Sequence, residues 1–228
     1  MSFFEINSNK LQLSDIEHII DNKIQIKLSD ESTSLIQGCR DYLDKKISTN
    51  TEPIYGINTG FGSLYKESIS NSELNTLQEN IIKSHACGTG DSIPSHIVKL
   101  ILLLKVKSLS FGHSGVQVAT VQRLIDMFND DVLPVIYQFG SLGASGDLAP
   151  LAHLSLPLLG LGKVEYQGKV ISGEELNKVK GWQPINLMAK EGLALLNGTQ
   201  FMSAYGIWNT LTSSKLIRLA NLIGAAAI

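Results

Sequence analysis

The chain has 228 residues, a formal net charge of −2 and 43% hydrophobic residues. That is one large domain or a piece of a larger one, with enough apolar material for a real core. A charge so close to neutral gives no electrostatic case for nucleic acid or an anionic membrane as partner. The two cysteines, Cys39 and Cys87, are far apart and in no metal-ligand spacing, so they read as free thiols of a reducing compartment. The start, Met1-Ser2-Phe3-Phe4-Glu5, lacks the basic and apolar regions of a signal peptide. The longest apolar run, Leu100 to Val106, is interrupted or flanked by Lys99, Lys105 and Lys107 and is too short to span a bilayer. A soluble cytoplasmic protein is the default.

Residues 1–28 predict a small mixed start. Ser14-Asp15-Ile16-Glu17 has capping-box spacing ahead of Ile19 and Ile20, and Ile24 to Leu28 alternates as a half-buried strand does. Residues 31–47 read as a helix with Leu35, Ile36, Cys39, Leu43 and Ile47 on one side. Pro53 to Gly62 holds three glycines, an Asn and a Thr, which predicts an irregular loop. Composition leaves open whether its aromatics are simply packed or whether the loop carries function.

A second capping box, Ser70-Asn71-Ser72-Glu73, predicts a helix through Leu74, Leu77, Ile81 and Ile82, ending between Ser84 and Gly90. His85 sits at that end, where the negative end of the helix dipole favours a histidine. From Pro94 to Leu109 the chain is apolar nearly all round, the pattern of a helix buried among others. Phe111 to Gly115 breaks it, Val116 to Phe128 forms the next helix, and Asn129-Asp130-Asp131 ends that one.

Leu148 to Leu161 reads as a helix kinked by Pro157. Val164 to Ile171 predicts a β-hairpin with a Gln-Gly turn, and Ser172-Gly173-Glu174-Glu175 caps a short helix. Leu187 to Leu196 is apolar and helical, stopping at Asn197-Gly198. Thr199 to Ile228 then runs as one long helix of about 45 Å at the α-helical rise. Its apolar residues call for partners along much of its length. The uncharged end, Leu222 to Ile228, predicts a fragment whose remainder continues a helical bundle.

Gly140 to His153 concentrates small residues around a single serine: Gly143-Ala144-Ser145-Gly146-Asp147. A nucleophile elbow fails on spacing, because an acid stands where its last glycine belongs and no strand is predicted before it. No P-loop or dinucleotide fingerprint is present, and the five histidines show no zinc spacing, so no metal is expected. Ser145 as a helix N-cap remains open, but a cap does not account for glycines on both sides.

The stretch Gly143–Pro150 resembles the signature of the aromatic amino acid ammonia-lyases. Three other stretches resemble family segments in the family's order. They are Tyr55 to Gly62 (the tyrosine loop), Ser84 to Gly90 (the substrate-selectivity segment) and Lys190 to Gln200 (the asparagine segment). The likeness spans residues 50–228; residues 1–49 carry no comparable signature. It implies that Ala144-Ser145-Gly146 cyclises into 4-methylidene-imidazole-5-one (MIO), with no external cofactor. The Gly146 nitrogen attacks the Ala144 carbonyl carbon, and loss of water and of the Ser145 hydroxyl leaves an electron-poor alkene.

The pair His85-Ala86 is similar to that of the family's histidine-specific branch. The implied reaction is elimination of ammonia from L-histidine to trans-urocanate, the first step of histidine degradation. The alternatives are a phenylalanine or tyrosine lyase or aminomutase of the same family, and a catalytically silent structural module. By resemblance Tyr55 is the base, whose phenolate the site must favour because an ordinary tyrosine titrates near pH ~10. Asn197 binds the substrate carboxylate or the ring, His85 bonds the imidazole, and Asp147 holds the cyclising loop. The resemblance also implies a mainly α fold. In it residues 1–198 are the ring-bearing N-terminal domain and 199–228 begin the central helical bundle of a homotetramer. Other family site residues would lie beyond residue 228, so this chain alone is expected to be inactive.

Overall fold

The structure is a computed structural model that describes residues 3–49, 54–60, 69, 73–142 and 146–228. The mixed start consists of β1 (Phe3–Ile6), α1 (Leu13–Asp21), β2 (Gln25–Leu28) and α2 (Asp30–Thr49). β1 and β2 pair in parallel, with Phe4 opposite Ile26. The turn into α1 is tied at Gln12, whose N–H donates to Asp15 Oδ2 at 2.8 Å. The helix is therefore capped at Gln12, two positions before the Ser14 that its sequence signature suggests. Of the second predicted capping box, Ser70 to Ser72 lie outside the described residues.

The chain continues through α3 (Leu74–His85), β3 (Thr89–Ser92), α4 (Ser95–Leu109), α5 (Val118–Asn129), β4 (Leu133–Pro134), β5 (Tyr137–Phe139) and α6 (Leu148–Ser155). It ends with β6 (Lys163–Tyr166), β7 (Lys169–Ser172), α7 (Gly173–Lys180), α8 (Glu191–Leu196) and α9 (Gln200–Ala227). The fold is mainly helical, as expected. α4 is its axis: Leu100, Ile101, Leu102, Leu103 and Val106 are all buried, and α5 and α9 pack along it. Each such aliphatic side chain taken from water stabilises by about 1.5–3 kcal/mol. α8 lies between α3 and α6.

The predicted hairpin is present as β6–β7, with Tyr166 opposite Lys169. Gln167 (φ 52°) and Gly168 (φ 73°) both take the left-handed conformation that a tight two-residue hairpin turn requires. β4 adds to it as a third strand, in the order β4-β6-β7. A separate antiparallel pair, β3–β5, lies outside the sequence expectations. β5 also means that a short strand does precede the glycine-rich stretch, contrary to one of the two grounds on which a nucleophile elbow was set aside. The other ground, an acid at 147, stands.

Three helical boundaries differ from expectation. Val116 and Gln117 precede α5, whose first residue is Val118. α6 gives way at Leu156–Leu159 to a 3-10 turn, with Pro157 in its first positions. Residues 187–190 are not helical, because Lys190 takes a left-handed φ of 75° and α8 starts only at Glu191.

α9 has internal partners over its first third: Trp208 stacks on His96 with ring centroids 4.0 Å apart. Lys215 then reaches Glu17 and Asp21 of α1. Leu216, Ile217, Leu219, Leu222 and Ile223 are all more than half exposed. Among the described residues, then, buried positions of α9 are confined to its first third, Gln200 and Ala204, and beyond Lys215 its apolar side chains are exposed. Among the described residues no helix is long and apolar enough to cross a membrane.

Because Leu102 is fully buried in α4, Leu102→Ala is expected to cost about 2–5 kcal/mol. A shift of the urea midpoint at unchanged slope measures it.

Candidate active site

Residues from α3, α8 and three loops meet around one cleft of about 520 Å³, lined among others by Tyr55, His85, His113, Lys190, Leu193 and Asn197. Tyr55 is brought there by a turn. Ile57 and Asn58 donate to the Ile54 carbonyl, and Asn58 Oδ1 accepts the Ile54 N–H at 2.6 Å. Gly56 takes φ 74° within that turn. Ile57 is buried against Leu43, Leu74 and Ala189, which anchors the loop while Tyr55 remains 59% exposed. Packed apolar residue and exposed phenol are thus both true of this loop.

His85 is the last residue of α3, and its Nδ1 lies 2.8 Å from the Ile81 carbonyl. A carbonyl only accepts, so Nδ1 carries the proton, and in the neutral ring Nε2 is an acceptor. The helix-end role read from sequence and a place on the cleft coexist in this one residue.

Asn197 follows α8. Its backbone N–H and its Nδ2 both donate to the Leu193 carbonyl, at 3.1 and 2.8 Å. An amide nitrogen carries two hydrogens, so this geometry commits one of them and leaves Oδ1 and the second hydrogen to other partners. The Asn197 carbonyl accepts from Lys105 Nζ at 2.9 Å.

Gly198 is paired with Gly146, and the Asp147 N–H donates to the Gly198 carbonyl at 2.9 Å. The approach is close. Gly146 has φ 117°, and a Cβ there would stand 2.5 Å from the Gly198 oxygen. Asp147 is fully buried and accepts from Ser141 Oγ at 2.7 Å and from the Met202 N–H at 3.1 Å. Met202 lies in the first turn of α9, where a helix N-terminus favours an anion. Asp147 so ties Ser141, before Gly143, to the start of α9. Gly143, Ala144 and Ser145 lie outside the described residues.

Several groups outside the expected site residues hold this cleft. Glu191, with no exposed surface, accepts from the Gln117 and Met188 N–H groups, Gln117 Nε2 and Thr120 Oγ1, all within 2.8 Å. Lys190 donates to the Ser114 carbonyl at 2.6 Å, and Arg40 to those of Gly115 and Ala189. Burial lowers the Lys190 pKa. These three neighbouring tethers fix the loop that carries His113. The only signal available in sequence was the irregularity of Phe111 to Gly115. Lys105, an interruption of an apolar run in sequence, is buried, and desolvation brings its pKa down to about 7.

A model of the aromatic amino acid lyase family matches residues 11–228. The histidine ammonia-lyase of Legionella pneumophila is 47% identical over 99% of this chain and 44% of its own length. The crystal structure of histidine ammonia-lyase from Trypanosoma cruzi superposes with a TM-score of 0.86 at 36% identity, over 96% of this chain and 43% of that one. Ergothionase from Treponema denticola, an ergothioneine-degrading enzyme, gives a TM-score of 0.91 at 25% identity, over 97% and 44%. The chain therefore spans less than half the length of the relatives it matches.

His153 of α6 generates a pH prediction. Its Nε2 accepts the Gly88 N–H at 3.0 Å, so that nitrogen carries no proton, and burial holds the pKa below the ordinary 6.5. The unfolded chain takes up this proton at a higher pH than the folded one. The contribution to stability is thus complete above pH ~6.5 and is lost progressively below it. His96, lowered by burial too, acts with the same sign. Lys105 acts above pH ~7, outside this window. Denaturant midpoints measured from about pH 6.5 down to 5 should fall, and His153→Gln should flatten that slope without abolishing it.

Proposed function

Since the chain belongs to the aromatic amino acid lyase family, we propose that the full-length protein eliminates ammonia from L-histidine to give trans-urocanate, while these 228 residues alone are inactive. The proposal includes an MIO ring made from its own Ala144-Ser145-Gly146 and no external cofactor. The observation that carries it is the convergence of Tyr55, His85 and Asn197 on one cleft, with Gly146 paired at Gly198, the neighbour of Asn197.

The residues present fit such a ring. Closure needs the nitrogen of residue 146 to approach the carbonyl of residue 144, and a side chain at 146 would obstruct the turn. Here only glycine is tolerated, on both φ and the Gly198 contact. Two waters leave, one carrying the Ala144 carbonyl oxygen and one the Ser145 hydroxyl. The ring supplies an electron-poor alkene, an electrophile no unmodified side chain offers.

The chain's own residues do the rest. His85, with its proton directed at Ile81, presents Nε2 to accept an N–H of the substrate imidazole. That preference is for a ring that donates, which benzene does not. Tyr55 takes the β-proton. The electron pair of that C–H bond becomes the new double bond, the C–N bond breaks, and ammonia departs with its pair. Asn197 donates its second amide hydrogen to the carboxylate or to the ring. Asp147, just after the cyclising residues, bonds to Ser141 just before them and to the start of α9.

We also propose a cytoplasmic homotetramer in which residues 1–198 form the ring-bearing domain and α9 begins a shared helical bundle. The exposed leucines and isoleucines of α9 support this reading.

Intact mass tests the ring: the protein should weigh two waters less than its sequence, and Ser145→Ala should restore the full mass with the fold kept. An unmodified mass sinks the reading. Turnover by the full-length protein, followed by absorbance, should give urocanate from histidine in preference to cinnamate from phenylalanine; the reverse order would reassign the substrate. Tyr55→Phe should lower kcat by about 10²–10⁴-fold, the usual worth of a positioned base.

A further inference from the structure

Lys105 stands in the middle of α4 with 1% of its surface exposed. No carboxylate partners it among the described ion pairs. Its Nζ donates instead to the carbonyls of Ala194, at 2.8 Å, and of Asn197, at 2.9 Å. Both belong to the C-terminal end of α8, where the last carbonyls have no partner within the helix and the dipole favours a cation.

The next peptide is the one that matters. The Asn197 carbonyl leads directly into Gly198, and Gly198 is the residue on which Gly146 is paired and to which the Asp147 N–H donates. A continuous path runs from Lys105 through the Asn197–Gly198 peptide to Gly146. Among the described residues, no other side-chain hydrogen bond reaches the Asn197 carbonyl.

We propose that Lys105 is a positioning residue: its two bonds fix the Asn197–Gly198 peptide, and thereby place Asn197 on the cleft and Gly146 in register for ring closure. Core stability does not account for a lysine here. Burying an amine is costly, and an apolar side chain of similar volume at such a site is commonly neutral or stabilising. Both bonds persist whether the amine is charged or neutral, since it carries three N–H donors in one state and two in the other. The consequence for ring closure rests on the lyase reading; the placement of the peptide does not.

The test uses Lys105→Met, which keeps length and removes the donor. Amide hydrogen exchange is followed at Asp147, which reports the bond to Gly198, and at Leu102 and Leu103, which report the core. In the variant the Asp147 amide should exchange about tenfold faster, the scale of a lost hydrogen bond. The Leu102 and Leu103 amides should keep their protection. Ring closure, read by intact mass during expression, should slow in the same variant. Unchanged exchange at Asp147 overturns the proposal. So does acceleration of all three amides together, or a variant that fails to fold, since either assigns Lys105 to the core alone. A wild-type protein of unmodified mass counts against the ring reading only, and the amide comparison still decides the role of Lys105.

Discussion

The centre of this structure is a backbone contact that leaves no room for a side chain. Gly146 and Gly198 run beside one another so closely that a methyl group on the first would collide with the carbonyl of the second. Everything nearby serves to maintain that approach. Asp147 closes it with a backbone bond on one side and a carboxylate at the start of α9 on the other. α8 leads through Asn197 into Gly198, and α6 begins directly after Asp147.

Polar groups keep this arrangement in place, and they do so by bonding to backbone. Lys105, Lys190 and Arg40 all end on carbonyls, while Glu191 collects two backbone N–H groups and two side-chain donors. Buried charges that find such partners avoid the large penalty of an unpaired one. They also act directionally. Apolar packing of α4 against α5 and α9 sets where the helices lie, to within the tolerance of side-chain repacking. The bonds to carbonyls set where individual peptides lie, and a reaction site needs the second kind of accuracy.

The parts of this molecule legible in the sequence are those governed by local rules. The all-round apolar run after Pro94 became the central helix, and the Gln-Gly turn became a hairpin because its two residues adopt the left-handed region that the turn requires. Ser172 caps α7 through its hydroxyl, as its spacing indicates. What escaped depends on residues distant in the chain. Leu187 to Lys190 is apolar enough for a helix, yet Glu191 turns back to accept the Met188 N–H and Lys190 adopts a left-handed φ. Lys99 and Lys105 look alike in one helix. The first pairs with Asp131 at the surface, and the second is buried under α8. Nothing within α4 distinguishes them; α8 does. Of the candidate site, residue types and motif order were readable, while the direction of the Asn197 amide and the tethers around His113 were not.

The central contact joins parts of the chain that are far apart in sequence. Asp147 and Met202 are separated by 55 positions, Lys105 and Asn197 by 92. Contacts of that span must close long loops before any of their bonds can form, so they belong to the late stages of folding. A nascent or partly folded chain has Gly146 but not yet Gly198, the neighbour with which it pairs. If the proposed ring forms, its closure is thereby reserved for molecules that have finished folding, and no reactive alkene would be generated in one still exposed to aggregation or degradation.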